Sequence, residues 1–187
     1  MILCDIGNSR MHFYDRGEVV HLSYEDGVKQ YAKERVGYIC VNEDIRKKIE
    51  EGLPLWRDVS NPSLLKSDYR GLGIDRIALS LAVYDGVVID AGSAITVDIM
   101  DKGVHLGGCI WPGIKALKKA YGSISPKLAV DLAPNISFEK VPKDTAAAVN
   151  YALFASIKGV LESLAEGRKR VITGGDSAIK AMLFPDA

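Results

Sequence analysis

The chain predicts an α/β protein built from two similar halves, each a mixed sheet led by an antiparallel meander, with a cleft between them. The first observation behind this is a repeated phrase. Ile2-Leu3-Cys4-Asp5-Ile6-Gly7-Asn8-Ser9 has a counterpart in Val87-Val88-Ile89-Asp90-Ala91-Gly92-Ser93-Ala94. In each, an apolar, strand-like run delivers an Asp, then a Gly two positions on, then small hydroxyl or amide residues. The second is a turn at a similar distance beyond each copy, Asp15-Arg16-Gly17 and Asp101-Lys102-Gly103. The third is that strand-like and helical segments alternate after each meander, as they do in layered α/β units.

Taken in order, residues 1–5, 10–15 and 18–24 read as three short strands, the last two joined by the Asp15-Arg16-Gly17 turn. Residues 27–34 read as a short helix and 37–41 as a strand. Asn42 is placed to cap a helix from 43 to about 51. Residues 52–72, with Pro54, Asn61, Pro62 and Gly71, read as irregular and exposed. From 74 to 84 the spacing is helical, with Ile77, Leu81 and Tyr84 on one face. The second half restarts with strands at 87–90, 94–99 and 104–110, then a helix begun by Pro112 and running to about 121. A loop punctuated by Pro126, Pro134 and Pro142 leads to a long helix from about 143 to 166. Val171-Ile172 reads as a strand, and Gly174-Gly175-Asp176 opens a last helix. The halves divide as 1–85 and 86–187.

Composition narrows the function classes. At 187 residues, 48% hydrophobic and 26% charged, the chain has enough apolar material for a packed core. Lys plus Arg and Asp plus Glu are 24 each, and the longest basic run is Arg168-Lys169-Arg170, so neither a nucleic-acid nor a membrane surface is indicated. Cys4, Cys40 and Cys109 match no metal-ligand spacing and sit in apolar runs, as buried free thiols of a reducing compartment do. Neither a signal peptide nor a run of roughly 18 apolar residues is seen, so a soluble, cytoplasmic protein is expected.

The chemistry-bearing residues lie at the loops. Gly7 permits positive φ and close approach of backbone to a ligand, Asn8 and Ser9 add donors, and Asp5 can hold Mg²⁺ directly or through water. Taken singly, this is also ordinary turn chemistry. The second copy, Asp90-Ala91-Gly92-Ser93-Ala94-Ile95-Thr96, repeats carboxylate, glycine and hydroxyl in order, which suits a polyphosphate gripped from two sides. In Gly73-Ile74-Asp75-Arg76, Asp75 is either a first-turn cap or a proton acceptor, and Arg76 either a solvated charge or a carboxylate clamp. Gly107-Gly108-Cys109-Ile110-Trp111-Pro112-Gly113 and Thr173-Gly174-Gly175-Asp176 are glycine-rich strand-to-helix turns, equally read as anion sites or as punctuation. None of His12, His21 and His105 is paired at ligand spacing, so solvent-facing or core roles are the default.

As a set and in this order, these motifs resemble the type III pantothenate kinases, of the superfamily that includes acetate and sugar kinases, Hsp70 and actin. The resemblance rests on Asp-x-Gly-Asn-Ser at 5, Gly-x-Asp-Arg at 73, Asp-x-Gly-Ser-Ala-x-Thr at 90, Gly-Gly-x-Ile-x-Pro-Gly at 107, Asp-Thr at 144 and Thr-Gly-Gly at 173. It implies duplicated ribonuclease-H-like, actin-like ATPase halves and transfer of the γ-phosphoryl of ATP to pantothenate, the first step of coenzyme A synthesis. The alternatives are a non-catalytic binding or regulatory homologue, or a kinase for another small hydroxylated substrate. By resemblance, the loop Asp5, Ile6, Gly7, Asn8, Ser9, Arg10, Met11 and His12 holds the phosphates of the nucleoside triphosphate, with Gly92 and Ser93 on the other side. Asp5 places Mg²⁺, and Asp90 helps to hold a monovalent cation, K⁺ or NH₄⁺. Asp75 accepts the proton, while Tyr69 with Gly73, Ile74, Asp75 and Arg76 binds pantothenate. Thr145 reaches the substrate from the partner subunit, which implies a homodimer with its site at the interface. Ser9 and Ser93 stand where the family often has Thr. The chain also stops at Ala187, short of the C-terminal strand the family usually carries, from which loose adenine binding is expected.

Overall fold

A computed structural model describes residues 1–132, 136–165, 167–176 and 179. It divides into two compact units, Met1–Ala82 and Val83–Ala187.

The first unit opens with strands β1 (Ile2–Ile6), β2 (Met11–Asp15) and β3 (Glu18–Leu22). It continues with α1 (Tyr24–Tyr31), β4 (Val36–Cys40), α2 (Glu43–Gly52), β5 (Trp56–Asp58), the two-residue β6 (Lys66–Ser67) and α3 (Ile74–Leu81). Its sheet runs β3-β2-β1-β4-β5; the first three strands are antiparallel and β1, β4 and β5 are parallel. The β2–β3 turn has two residues, Arg16 at φ 51° and Gly17 at φ 94°. Positive φ at both matches the right-handed twist of the flanking strands, which fixes the register. Alternation along β1 and β2 sends Cys4, Ile6, Met11 and Phe13 into the core. There Phe13 stacks on Tyr31 at 4.2 Å, and Trp56 donates its indole N–H to the Tyr31 carbonyl at 3.1 Å. Helix α1 lies so close that a Cβ on Gly27 would stand 2.7 Å from the Met11 sulfur.

The second unit comprises β7 (Gly86–Ala91), β8 (Ala94–Asp101), β9 (Val104–Pro112), α4 (Ile114–Ile124), α5 (Thr145–Leu164) and β10 (Arg170–Thr173). Its strands run β10-β7-β8-β9, with β7, β8 and β9 antiparallel and β10 parallel to β7. The β8–β9 turn again has two positive-φ residues, Lys102 at 47° and Gly103 at 81°. Leu153, Phe154, Ile157 and Leu161 of α5 pack on Val87, Ile89, Ile95 and Val97 of the sheet. A meander whose first strand gains a parallel neighbour through a helical crossover occurs in both units, and this is the ribonuclease-H-like order.

Several expected boundaries move. Helix α1 begins at Tyr24 because the Ser23 hydroxyl caps it, accepting the Asp26 N–H at 3.1 Å. Within the stretch read as irregular and exposed, β5 extends the sheet and Leu53, Trp56 and Leu65 are buried. Helix α3 stops at Leu81; Leu81 and Tyr84 are 45% and 71% exposed, and the buried stripe is Arg76, Ile77 and Ser80. Counting apolar residues could not find a stripe that an arginine fills. Pro112 does not start α4 but ends β9 opposite Ala94, and Gly113 is the N-cap. Pro134, residue 166 and the helix expected after Asp176, apart from Ile179, lie outside the described residues.

Candidate active site

In the first unit, Asp5 is the penultimate residue of β1 and pairs with His12 across the ladder. The loop beyond it is closed by the Gly7 N–H donating to the Arg10 carbonyl at 3.1 Å, and pinned by the Tyr24 hydroxyl donating to the Gly7 carbonyl. Asn8, Ser9 and Arg10 are exposed at the tip. Ile6 and Met11 are fully buried, so only their main chain is available to a ligand. Gly7 does not adopt positive φ, contrary to expectation, and neither does Gly92. The other reason for glycine remains. A Cβ would meet only the Arg10 oxygen at 3.6 Å in one loop and only the Ala94 oxygen at 3.8 Å in the other, both ordinary contacts. Among the described residues, nothing therefore demands glycine at either position.

The same unit gathers the Gly73–Arg76 segment and Tyr69. Gly73 is the N-cap of α3 and supplies no side chain to it. Asp75 stands in the first turn, its Oδ1 accepting the Arg76 N–H at 2.8 Å. Arg76 is only 4% exposed; its guanidinium lies 4.9 Å from the Tyr69 ring centroid and donates to the Tyr69 hydroxyl at 3.4 Å. A stacked guanidinium keeps its planar fork oriented, as recognition of a carboxylate requires. The reading of Arg76 as a solvated charge is thereby excluded.

In the second unit, Asp90 is the penultimate residue of β7, flanked by Thr96 of β8 and Thr173 of β10. The Gly92 N–H donates to the Ala94 carbonyl at 2.9 Å, the counterpart of the Gly7 bond. Two further backbone bonds clasp this loop: Gly113 N–H to Ser93 O at 3.0 Å and Asp176 N–H to Ala91 O at 2.9 Å. A Cβ on Gly113 would sit 2.6 Å from the Ser93 oxygen. One on Gly174, at φ 89°, would sit 2.5 Å from the Ala91 carbonyl carbon. The two glycine-rich turns thus build the Asp90 loop by letting backbone meet backbone. Thr145 is the first residue of α5, exposed, beside the capping Asp144, which accepts the Ala147 N–H at 2.8 Å.

Other polar residues have partners that linear spacing concealed. His105 is buried and its Nε2 lies 2.8 Å from Asp98 Oδ1. His12 and His21, for which the sequence offers no ligand spacing, are cross-strand partners with Nδ1 atoms 2.5 Å apart. The signal was available, since each lies three positions outside the Asp15–Glu18 pair that flanks the two-residue turn. Burial, with lesser contributions from His21 and Arg10, pushes the His12 imidazole below its usual pKa. Among the described residues, no three His, Cys, Asp or Glu side chains form a metal cluster. Likewise no helix among them is long and apolar enough to cross a membrane.

Two units of one strand order, each with a carboxylate next to last in its first strand and a glycine loop beyond it, define a duplicated ribonuclease-H-like α/β protein. A family model described as type III pantothenate kinase matches residues 53–167. The type III pantothenate kinase of Campylobacter hominis is 41% identical over 188 aligned positions, covering 100% of this chain and 90% of the relative. That of Helicobacter hepaticus is 36% identical over 187, covering 100% and 91%. A crystal structure from Campylobacter jejuni, described as a Baf family transcriptional activator, superposes with a TM-score of 0.83 at 37% identity over 94% of this chain and 84% of that one. The chain belongs to the type III pantothenate kinase family.

Proposed function

We propose that this protein transfers the γ-phosphoryl of ATP to the hydroxyl of pantothenate, the first step of coenzyme A synthesis. Family membership across the full chain supports the reaction. The observation that carries the site is the Gly73–Arg76 segment, where a buried, ring-stacked guanidinium stands one residue from a first-turn carboxylate. In this reading Arg76 and Tyr69, with Gly73 and Ile74, hold pantothenate through its carboxylate, and Asp75 accepts the proton of the attacking hydroxyl. The loop from Asp5 to His12 takes the nucleotide phosphates through Gly7 main chain and the exposed Asn8 and Ser9, and Gly92 and Ser93 contact phosphate likewise. Phosphoryl transfer asks mainly for positioning and charge stabilisation, which such loops supply.

Asp5 suits Mg²⁺ and Asp90 a monovalent cation, because both are hard oxygen donors at strand ends beside glycine loops that leave space for phosphate. Mg²⁺ when bound supplies neutralisation of triphosphate charge. Thr145, exposed at the start of α5, contacts substrate from a second subunit, which makes the working form a homodimer.

Mass-spectrometric detection of phosphorylated pantothenate after incubation with ATP and Mg²⁺, in potassium and again in sodium, tests this reading. Product that requires potassium or ammonium is expected. Folded protein that forms none in either salt, across several nucleotides, would leave a non-catalytic member of the family. Asp75→Asn is expected to lower kcat by at least about 10²-fold with the fold retained; near-normal turnover would remove Asp75 as the proton acceptor.

A further inference from the structure

His12 and His21 face each other across β2 and β3 at a register fixed by the Arg16-Gly17 turn. Their rings are 4.7 Å apart between centroids and inclined at 76°, which brings the two Nδ1 atoms to 2.5 Å. Asp5 is the ladder partner of His12, so Asp5, His12 and His21 stand in one cross-strand row. That row occupies the sheet face opposite Cys4, Ile6, Met11 and Phe13, which alternate into the core. Two imidazole nitrogens converging from adjacent strands either share a proton or share a cation.

We propose that His12 and His21 form a binding site for a divalent ion of the Zn²⁺ class, held by the two Nδ1 atoms. Each ring keeps its proton on Nε2 and gives its Nδ1 lone pair to the ion. Two nitrogens bound tetrahedrally to one zinc stand about 3.3 Å apart, given Zn–N bonds of about 2.0 Å. Reaching this separation takes a small rotation of the exposed His21 ring against the half-buried His12 ring. No third His, Cys, Asp or Glu completes the set among the described residues, so water or phosphate oxygens fill the other positions and the ion exchanges readily. Imidazole selects Zn²⁺, Ni²⁺ or Cu²⁺ over Mg²⁺, whereas a carboxylate such as Asp5 has the opposite preference. One row of the sheet therefore offers neighbouring positions to a borderline and a hard cation. The site stands independently of the kinase reading, because its test reads metal binding and not turnover.

Zn²⁺ titration of the full chain against a chromophoric chelator is expected to give one ion per chain. His12→Gln and His21→Gln are each expected to weaken it roughly tenfold or more through loss of one of two ligands. His105→Gln, removing the buried imidazole beside Asp98, is expected to leave it unchanged. In the unaltered protein, substoichiometric Ni²⁺ should broaden the ring-proton NMR signals of His12 and His21 and spare those of His105, a result that needs no variant to fold. Absence of binding, single variants that bind as tightly as the unaltered protein, or broadening that spares His12 and His21 would overturn the site.

Discussion

Arg76 is an arginine held 4% exposed on the buried stripe of a short helix, over a tyrosine ring. A lysine there would keep the charge and lose both the planar fork and the stack. Arg76→Lys is therefore expected to raise the KM for pantothenate roughly tenfold while moving that for ATP about twofold or less; equal rises would detach Arg76 from the pantothenate side. The thiols give a second expectation. Burial raises the pKa of both Cys4 and Cys40, so the folded state keeps their protons after the unfolded chain has begun to lose them. Their contribution to stability is fully present below the ordinary thiol pKa of about 8.5 and is lost as pH rises above it. Denaturant midpoints should fall between pH 8 and pH 10, less steeply in Cys4→Val, and neither thiol should react with iodoacetamide in the native protein. At this scale the sequence revealed residues whose meaning is local. Asp5 and Asp90 were legible because their surroundings repeat. Tyr24 was not, since its bond to the Gly7 carbonyl joins residues far apart in the chain.

Glycine separates the elements that build the loops from the positions that leave room beside them. Gly113→Ala forces a Cβ onto Ser93, and Gly174→Ala adds positive-φ strain to a collision with Ala91. Each is expected to cost about 1–3 kcal/mol of stability, read as a lowered denaturation midpoint. Gly7→Ala and Gly92→Ala meet only ordinary contacts, so they should leave the midpoint within about 0.5 kcal/mol of its original stability while weakening nucleotide binding. Destabilisation by all four alike would make every one of these glycines structural. Both meander turns were legible because Arg-Gly and Lys-Gly suit a two-residue hairpin that needs positive φ twice. The start of α1 was missed because the cap, Ser23, stood inside a stretch read as strand. The buried stripe of α3 was missed because an arginine occupies it.

The molecule as a whole carries one strand order twice, and the repeated phrase and turn are its trace in the sequence. The proposed homodimer has Thr145 reach into the site of its partner. Mixing Asp75→Asn with Thr145→Val subunits should regenerate one intact site per mixed dimer, with pantothenate KM returning to its unaltered value in part of the population. No recovery after verified subunit exchange would place Thr145 in its own subunit's site. The clasp on the Asp90 loop has a further consequence, for the order in which the molecule matures. Each hairpin forms from neighbours in sequence and closes early, whereas β10 reaches β7 only after the whole of α4 and α5 has intervened. Gly174 and Asp176 follow directly on β10. A chain emerging from the ribosome thus displays its first carboxylate loop early, and completes the clasp on the second only once residues 170–176 have been made.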